Sequence, residues 1–218
     1  MEAPLIFHIK GIPPFVIYSW IAMALLITMS LIVRRRLELN PRTVQNVVEA
    51  IVEGLFNFTS DIMGEKGRYF FPLIGTLGLY ILVCNFMGLI PGFESPTSNL
   101  NTTASMAIPV FLATHYYGVR THGLSYFKHF VGPVWWLAPL MVPIEVIGHL
   151  ARPVSLSMRL FGNMEAKHLI LIVLAIIAPL IAPVVILGLG VLVSIVQAFV
   201  FVLLTILYLS GAVEEAEH

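Results

Sequence analysis

Uncharged stretches long enough to cross a membrane alternate along the chain with short polar segments. Phe15–Val33 carries no charge and is closed by Arg34-Arg35-Arg36, and the uncharged run Phe70–Ile90 is closed by Pro91-Gly92. Thr102–Val119 is a weaker run, interrupted by Pro109, His115 and two tyrosines. From Trp135 to Gly211 the only acidic or basic residues besides histidine are Glu145, Arg152, Arg159, Glu165 and Lys167. A spanning helix takes about 20 residues. The pattern therefore predicts spans over 14–33, 70–90 and 102–119, and two to four helical segments over 135–211. In Thr43–Met63 the apolar residues Val44, Val47, Val48, Ile51, Leu55, Phe58 and Ile62 recur at helical spacing, with Glu49, Glu53 and Asp61 between them. That pattern predicts an amphipathic helix on the membrane surface or against a partner; an ordinary connecting helix fits it as well. No internal repeat interrupts the series, and residues 1–218 are read as one membrane domain.

Composition agrees with that reading. The 218 residues are 58% hydrophobic and 11% charged, against about 45–50% and ~25% in a soluble domain, and the mean hydropathy is +0.92. A soluble enzyme, a disordered chain and a nucleic-acid binder are excluded, the last also because twelve Lys and Arg balance twelve Asp and Glu. The single cysteine, Cys84, allows neither an intramolecular disulfide nor a Cys-rich metal site. The first residues hold no basic segment of a signal peptide, so the first apolar run is expected to stay as an anchor. Segment 34–69 carries Arg34, Arg35, Arg36, Arg42, Lys66 and Arg68; segment 91–101 carries no Lys or Arg; segment 120–134 carries Arg120 and Lys128. The positive-inside rule then places the N-terminus outside, 34–69 and 120–134 inside, and the acidic tail inside if the last stretch crosses an even number of times.

The charges of the last stretch are regularly spaced. Glu145, Arg152 and Arg159 lie seven residues apart. Seven steps of 100° fall only about 20° short of two turns, so the three share one stripe at intervals of about 10 Å. His149, Ser155 and Asn163 join that face. A charge at bilayer depth costs from about 3 to over 10 kcal/mol, depending on the scale, which marks these residues as functional candidates. Arg152, next to Pro153, also fits a snorkelling position. Arg159 has no acidic neighbour three or four residues away, so its partner is expected on another chain. Pro179 and Pro183 predict a reversal near Ile181 that brings Gln197 to the Arg159–Asn163 turn in an antiparallel hairpin. A helix from Trp136 to Ile177 would be about 63 Å long, twice the ~30 Å hydrocarbon core, and must be broken, curved or strongly inclined. The fold expected is thus all-α and polytopic, with about five to six membrane helices and a C-terminal pair of long, inclined helices forming a hairpin.

Other features carry less. His115, His122 and His129 recur every seven residues but straddle a segment with Gly118, Gly123 and Pro133, which argues against one helical face and against a metal site. Asn57 and Asn101 match the glycosylation pattern; Asn101 is read as a loop cap. Trp20, Trp135 and Trp136 fit interfacial anchors. No phosphate-binding glycine loop and no Ser/His/Asp set is present, and no cofactor is expected.

The run Pro153-Val-Ser-Leu-Ser-Met-Arg159-Leu-Phe-Gly-Asn163-Met, followed by Val196-Gln197-Ala-Phe-Val-Phe, resembles subunit a of F-type ATP synthases. Asn85-Phe-Met-Gly-Leu-Ile-Pro91-Gly, the segment from Pro96 to Thr103, and Glu145 extend the likeness over most of the chain. The resemblance implies a non-catalytic stator subunit, in a bacterial inner membrane, that offers two proton half-channels beside a rotating ring of small c-type proteolipids. Peripheral-stalk b-type subunits and the lipid bilayer are its other partners, and the proton rather than sodium is the transported ion. It makes Arg159 the residue that faces the ring carboxylate and puts Glu145, Asn163, His168 and Gln197 on the proton path. From their places beside these residues, Glu165 is expected to join that path and Lys167, His149 and Arg152 to modulate it. Three positions depart from familiar patterns: His168 stands where Glu is frequent, Lys167 replaces a small residue, and Gly190 occupies the place of a partner His or Glu, so that Glu165 is left to supply the carboxylate near His168. Two other readings stay open: a secondary transporter with a midplane ion site, which predicts inverted repeats that the sequence lacks, and a structural anchor, which leaves Arg159 unexplained.

The Lys and Arg distribution is tested by single-cysteine labelling in a Cys84→Ser background. A cysteine at position 40 is expected to react from the inner face, and labelling from the outer face alone would reverse the assignment.

Overall fold

The computed structural model describes residues 11–35, 43–90, 92–123, 126, 136, 138–177 and 182–214. Arg36, Arg42, Lys128, His129, Trp135, Pro179 and the tail after Glu214 lie outside the described residues, as does the expected turn at 178–181. The elements are α1 (Pro14–Arg35), α2 (Thr43–Met63), α3 (Gly67–Met87), α4 (Leu100–His122), α5 (Ala138–Ile177) and α6 (Ala182–Glu214), with short 3-10 turns at Gly64–Lys66 and Pro96–Ser98. The protein is all-α and polytopic. Among the described residues three stretches, Pro14–Arg35, Gln45–Met87 and Val184–Val213, are long and apolar enough to cross a membrane, and the span expected over 102–119 is not one of them. The last of the sequence's apolar stretches holds two helices. The 40 residues of α5 run unbroken through Pro143 and Pro153 for about 60 Å, so the helix is not interrupted there to fit the membrane.

Two local features differ from expectation. Helix α4 passes through Gly118 and ends only at His122, where Gly123 takes a left-handed φ of 56° as its cap. His115 and His122 therefore share one helix. The N-cap of α4 is Asn99, whose side chain accepts the Asn101 backbone N–H at 2.9 Å; Asn101 sits in the first turn and is not itself the cap.

Burial explains the arrangement. Ile81 of α3, Met106 and Val110 of α4, Leu156 and Leu160 of α5, and Ala198 and Phe201 of α6 form the central apolar cluster. A second cluster joins Met63 of α2 to Phe70 and Ile74 of α3 and to Val202, Ile206 and Leu209 of α6. The amphipathic stripe of α2 is thus used against the bundle through Leu55, Phe58 and Ile62, while Val47 and Ile51 stay exposed. Helix α1 is held from one side, by Tyr18 and Ala22 on Cys84 and Met87 of α3, with the Tyr18 hydroxyl donating to the Gly92 carbonyl at 3.2 Å. The outward faces of α5 and α6 stay apolar, with Met158, Ile172, Val173, Leu189 and Leu192 all exposed. Such faces suit lipid or another hydrophobic helix.

Helices α3 and α6 approach closely at Gly78. A Cβ there would lie 2.5 Å from Val202 Cγ2, so a larger residue must push the helices apart, at a typical cost of about 1–3 kcal/mol for overpacking. Gly78→Leu is expected to lower the amount of folded protein in membranes, and Val202→Ala in the same chain to restore part of it. Equal abundance of Gly78→Leu and wild type would show that the approach is not tight.

Candidate functional site

The α5–α6 hairpin carries the polar residues singled out above. Counting outward from a turn near Ile181 pairs the Arg159–Asn163 region with Gln197, and the two side chains meet: Asn163 Nδ2 donates to Gln197 Oε1 at 2.6 Å. Gln197 is 4% exposed, so its amide is anchored inside the helix pair. The bond matters because an unsatisfied buried amide costs about 1–3 kcal/mol. Leu156, Leu160 and Met164, at every fourth residue of α5, pack into the bundle. Arg159, next to Leu160, is left on the exposed side. Among the described residues it makes no hydrogen bond or ion pair.

The heptad stripe changes surroundings along its length. Glu145, His149 and Arg152 are half-buried, with His149 facing α4 and Arg152 facing α6, whereas Ser155, Arg159 and Asn163 are exposed. His149 Nε2 lies 3.3 Å from Glu145 Oε1, one turn away. The His149 ring faces His115 of α4 with centroids 5.2 Å apart. The Arg152 guanidinium lies over the Tyr208 ring of α6, 5.4 Å from the centroid, in cation–π geometry. The drift of about 20° per seven residues, and the different neighbour at each level, divide the stripe into an inward and an outward part.

Glu165, Lys167 and His168 are half-buried farther along α5. No ion pair joins Glu165 to His168. Lys167 crosses toward α3 and α6, and its Nζ is buried with no hydrogen-bond partner among the described residues. A Cβ at Gly190 of α6 would come within 3.3 Å of Lys167 Cδ and 2.7 Å of Leu89 Cδ2, and one at Gly88 would lie 3.5 Å from Lys167 Nζ. The two departures noted in the sequence are therefore complementary: the missing side chain at Gly190 makes the space that the Lys167 stem fills.

Beside Lys167 is a polar layer that the sequence did not single out. Thr97 Oγ1 donates to Asn85 Oδ1 at 2.8 Å, and Asn85 Nδ2 to the Ser194 carbonyl at 3.4 Å. Ser95 Oγ donates to the Cys84 carbonyl at 2.9 Å and sits 2.7 Å from Thr97 Oγ1. All four residues, Asn85, Ser95, Thr97 and Ser194, are fully buried. The layer ties the end of α3 to α6 one turn before Gln197. The asparagine closing an apolar run before Gly-Leu-Ile-Pro-Gly was its one visible signal.

Residues 16–210 match the family model described as ATP synthase A chain. The chain belongs to that family. It is similar to "ATP synthase subunit a" of Trichlorobacter lovleyi, 55% identical over 201 residues that cover 92% of this chain and 87% of that protein. The protein of the same description from Geobacter sulfurreducens is 51% identical over 199 residues, 91% of this chain and 87% of its own length. That of Desulfosudis oleivorans is 46% identical over 228 residues, covering 99% and 100%.

The pairing of α5 with α6 is checked by introducing cysteines at 163 and 197, or at 160 and 197, and adding a short thiol cross-linker. Both pairs are expected to link within one chain. Exclusive reaction of 168 with 197 would place the hairpin in another register.

Proposed function

We propose that this chain is the non-catalytic, proton-translocating stator subunit of a rotary ATP synthase in a bacterial inner membrane. Arg159 faces the carboxylate of a c-type rotor ring between two proton half-channels. The observation that carries the reading is the place of Arg159: exposed among apolar residues on the outer side of α5, with no partner among the described residues. A guanidinium keeps its charge at any working pH. In an apolar surrounding it is stable only beside an opposite charge, and the ring carboxylate of a neighbouring subunit is that charge. Membership of the ATP synthase A chain family supports the ring and the b-type stalk subunits as partners.

The mechanism follows from charge. Near Arg159 the ring carboxylate is stabilised in its ionised form and gives up its proton; away from it, in lipid, only the protonated acid is tolerated. The half-channels load and unload protons on either side of the arginine, so a proton crosses only as the ring turns. Each proton moved through 100 mV contributes about 2.3 kcal/mol, so several must pass for each ATP. Asn163 and Gln197 hold the α5–α6 pair behind the arginine. Glu145, with His149 and Arg152 near it, lines the path toward one end of α5, and Glu165, Lys167 and His168 line it toward the other. The first loop and segment 120–134 lie inside, with the N-terminus outside. The unbroken α5 favours this reading over a transporter, which would bind its ion at interrupted helices.

Arg159→Ala is expected to abolish proton-driven ATP synthesis in membrane vesicles while the complex still assembles on a native gel, and passive proton leak is expected to rise. Arg159→Lys keeps a cation but not the planar fork, and is also expected to fail in coupled synthesis. Near-normal synthesis by Arg159→Ala, per assembled complex, would refute the mechanism.

A further inference from the structure

The Glu145–His149 pair on α5 does not end at that helix. His115 of α4 stands across from His149, with ring centroids 5.2 Å apart. Its Nδ1 lies 2.8 Å from the hydroxyl of Tyr126, in the chain segment that joins α4 to α5. Tyr126 is 5% exposed. Its ring lies directly on Gly118, where a Cβ would collide with it, so the absence of a side chain at 118 sets the hydroxyl at His115. At the other end the Glu145 side chain is 45% exposed and the His149 side chain 13%. Four groups that carry exchangeable protons thus run inward from the outer side of α5, through the α4–α5 contact, to Tyr126. Arg152 and Tyr208 are the other charged or titratable groups that line the same cleft. An interior packed only for stability has no use for two facing imidazoles, since burying polar rings costs free energy that apolar residues would not.

We propose that His115 and Tyr126 continue the Glu145–His149 pair as a proton relay across the α4–α5 contact, linking the outer side of α5 to segment 120–134. The proposal rests on the half-channel reading above and adds a route to it. A protonated Glu145 gives its proton to His149 Nε2 while His149 Nδ1–H passes a proton to His115 Nε2 across the facing rings, whose centroids lie 5.2 Å apart. His115 Nδ1–H then donates to the Tyr126 oxygen as the hydroxyl's own proton moves on. One proton enters at Glu145 and one leaves at Tyr126, and both rings end neutral in the opposite tautomer. Run backwards, the same steps carry a proton toward Glu145. Imidazole suits the task because its ordinary charge change falls between about pH 5 and 8.

The test uses whole complexes in membrane vesicles. It measures ATP-driven pumping, and passive proton conduction after the catalytic head is stripped, from about pH 5.5 to 8.5, a range that spans the ordinary histidine titration. His115→Gln keeps a hydrogen-bonding side chain beside Tyr126 but cannot shuttle a proton. It is expected to slow conduction roughly a hundredfold, to flatten its pH dependence, and to add little to the defect of Glu145→Gln. Should His115→Gln reduce assembly, Tyr126→Phe supplies the same reading, because it removes the hydroxyl and leaves the His115 ring. A pH profile that superposes on wild type in the assembled variants, or a His115→Gln defect fully additive with that of Glu145→Gln, overturns the relay. Arg159→Ala separates the two claims: if it abolishes coupled synthesis while His115→Gln changes nothing, the relay fails and the half-channel reading stands.

Discussion

An exposed guanidinium among apolar side chains is the constraint around which the C-terminal half is built. A charge at bilayer depth costs from about 3 to over 10 kcal/mol unless an opposite charge meets it, and the described part of the chain offers Arg159 none. The cost is met by arrangement. Leu156, Leu160 and Met164 lock one side of α5 into the bundle, which leaves the arginine facing out. The Asn163–Gln197 bond then sets α6 beside it, so the charge is presented from a rigid surface. Freedom of that helix pair to rotate would let the arginine seek a partner inside its own subunit.

The polar layer around Asn85 does for α6 what the apolar stripe does for α5. Apolar contacts have little directional preference, and a helix as uniformly apolar as α6 could slide along its neighbours with small change in buried area. Hydrogen bonds do not tolerate such sliding. The Asn85 amide meets the Ser194 carbonyl, and Ser194 is one turn from Gln197. The register of the whole hairpin is therefore set by buried polar contacts within an otherwise apolar bundle, which is the better attested use of such groups.

Much of this was legible in the sequence for identifiable reasons. Hydropathy reports helices directly when lipid is the solvent, because every backbone group must be paired within the segment. The meeting of Asn163 with Gln197 follows from residue offsets about one reversal, since helical rise is nearly constant. Spacing alone, however, says which residues share a face and not what that face touches. Glu145, Arg152 and Arg159 share a stripe, yet Arg152 meets an aromatic ring on α6 and Arg159 has no hydrogen-bond or ion-pair partner among the described residues. The continuation of α4 through Gly118 was hidden because glycine ordinarily weakens a helix; here it makes room for Tyr126. The fit of Lys167 beside Gly190 joins residues on two helices, and no single-helix pattern carries it.

The partners of Asn85 have a consequence for how the protein is made. Thr97 follows it by 12 residues, so the carbonyl end of the amide is satisfied almost as soon as the hairpin after α3 emerges. Ser194 follows by 109 residues. At a synthesis rate of 5–20 residues per second that is a delay of about 5–20 s, during which α3 stands in the membrane with a polar group awaiting its acceptor. Helix α6 is thus the element that completes the hydrogen bonding of α3, and a chain truncated before Ser194 leaves the Asn85 amide without that acceptor.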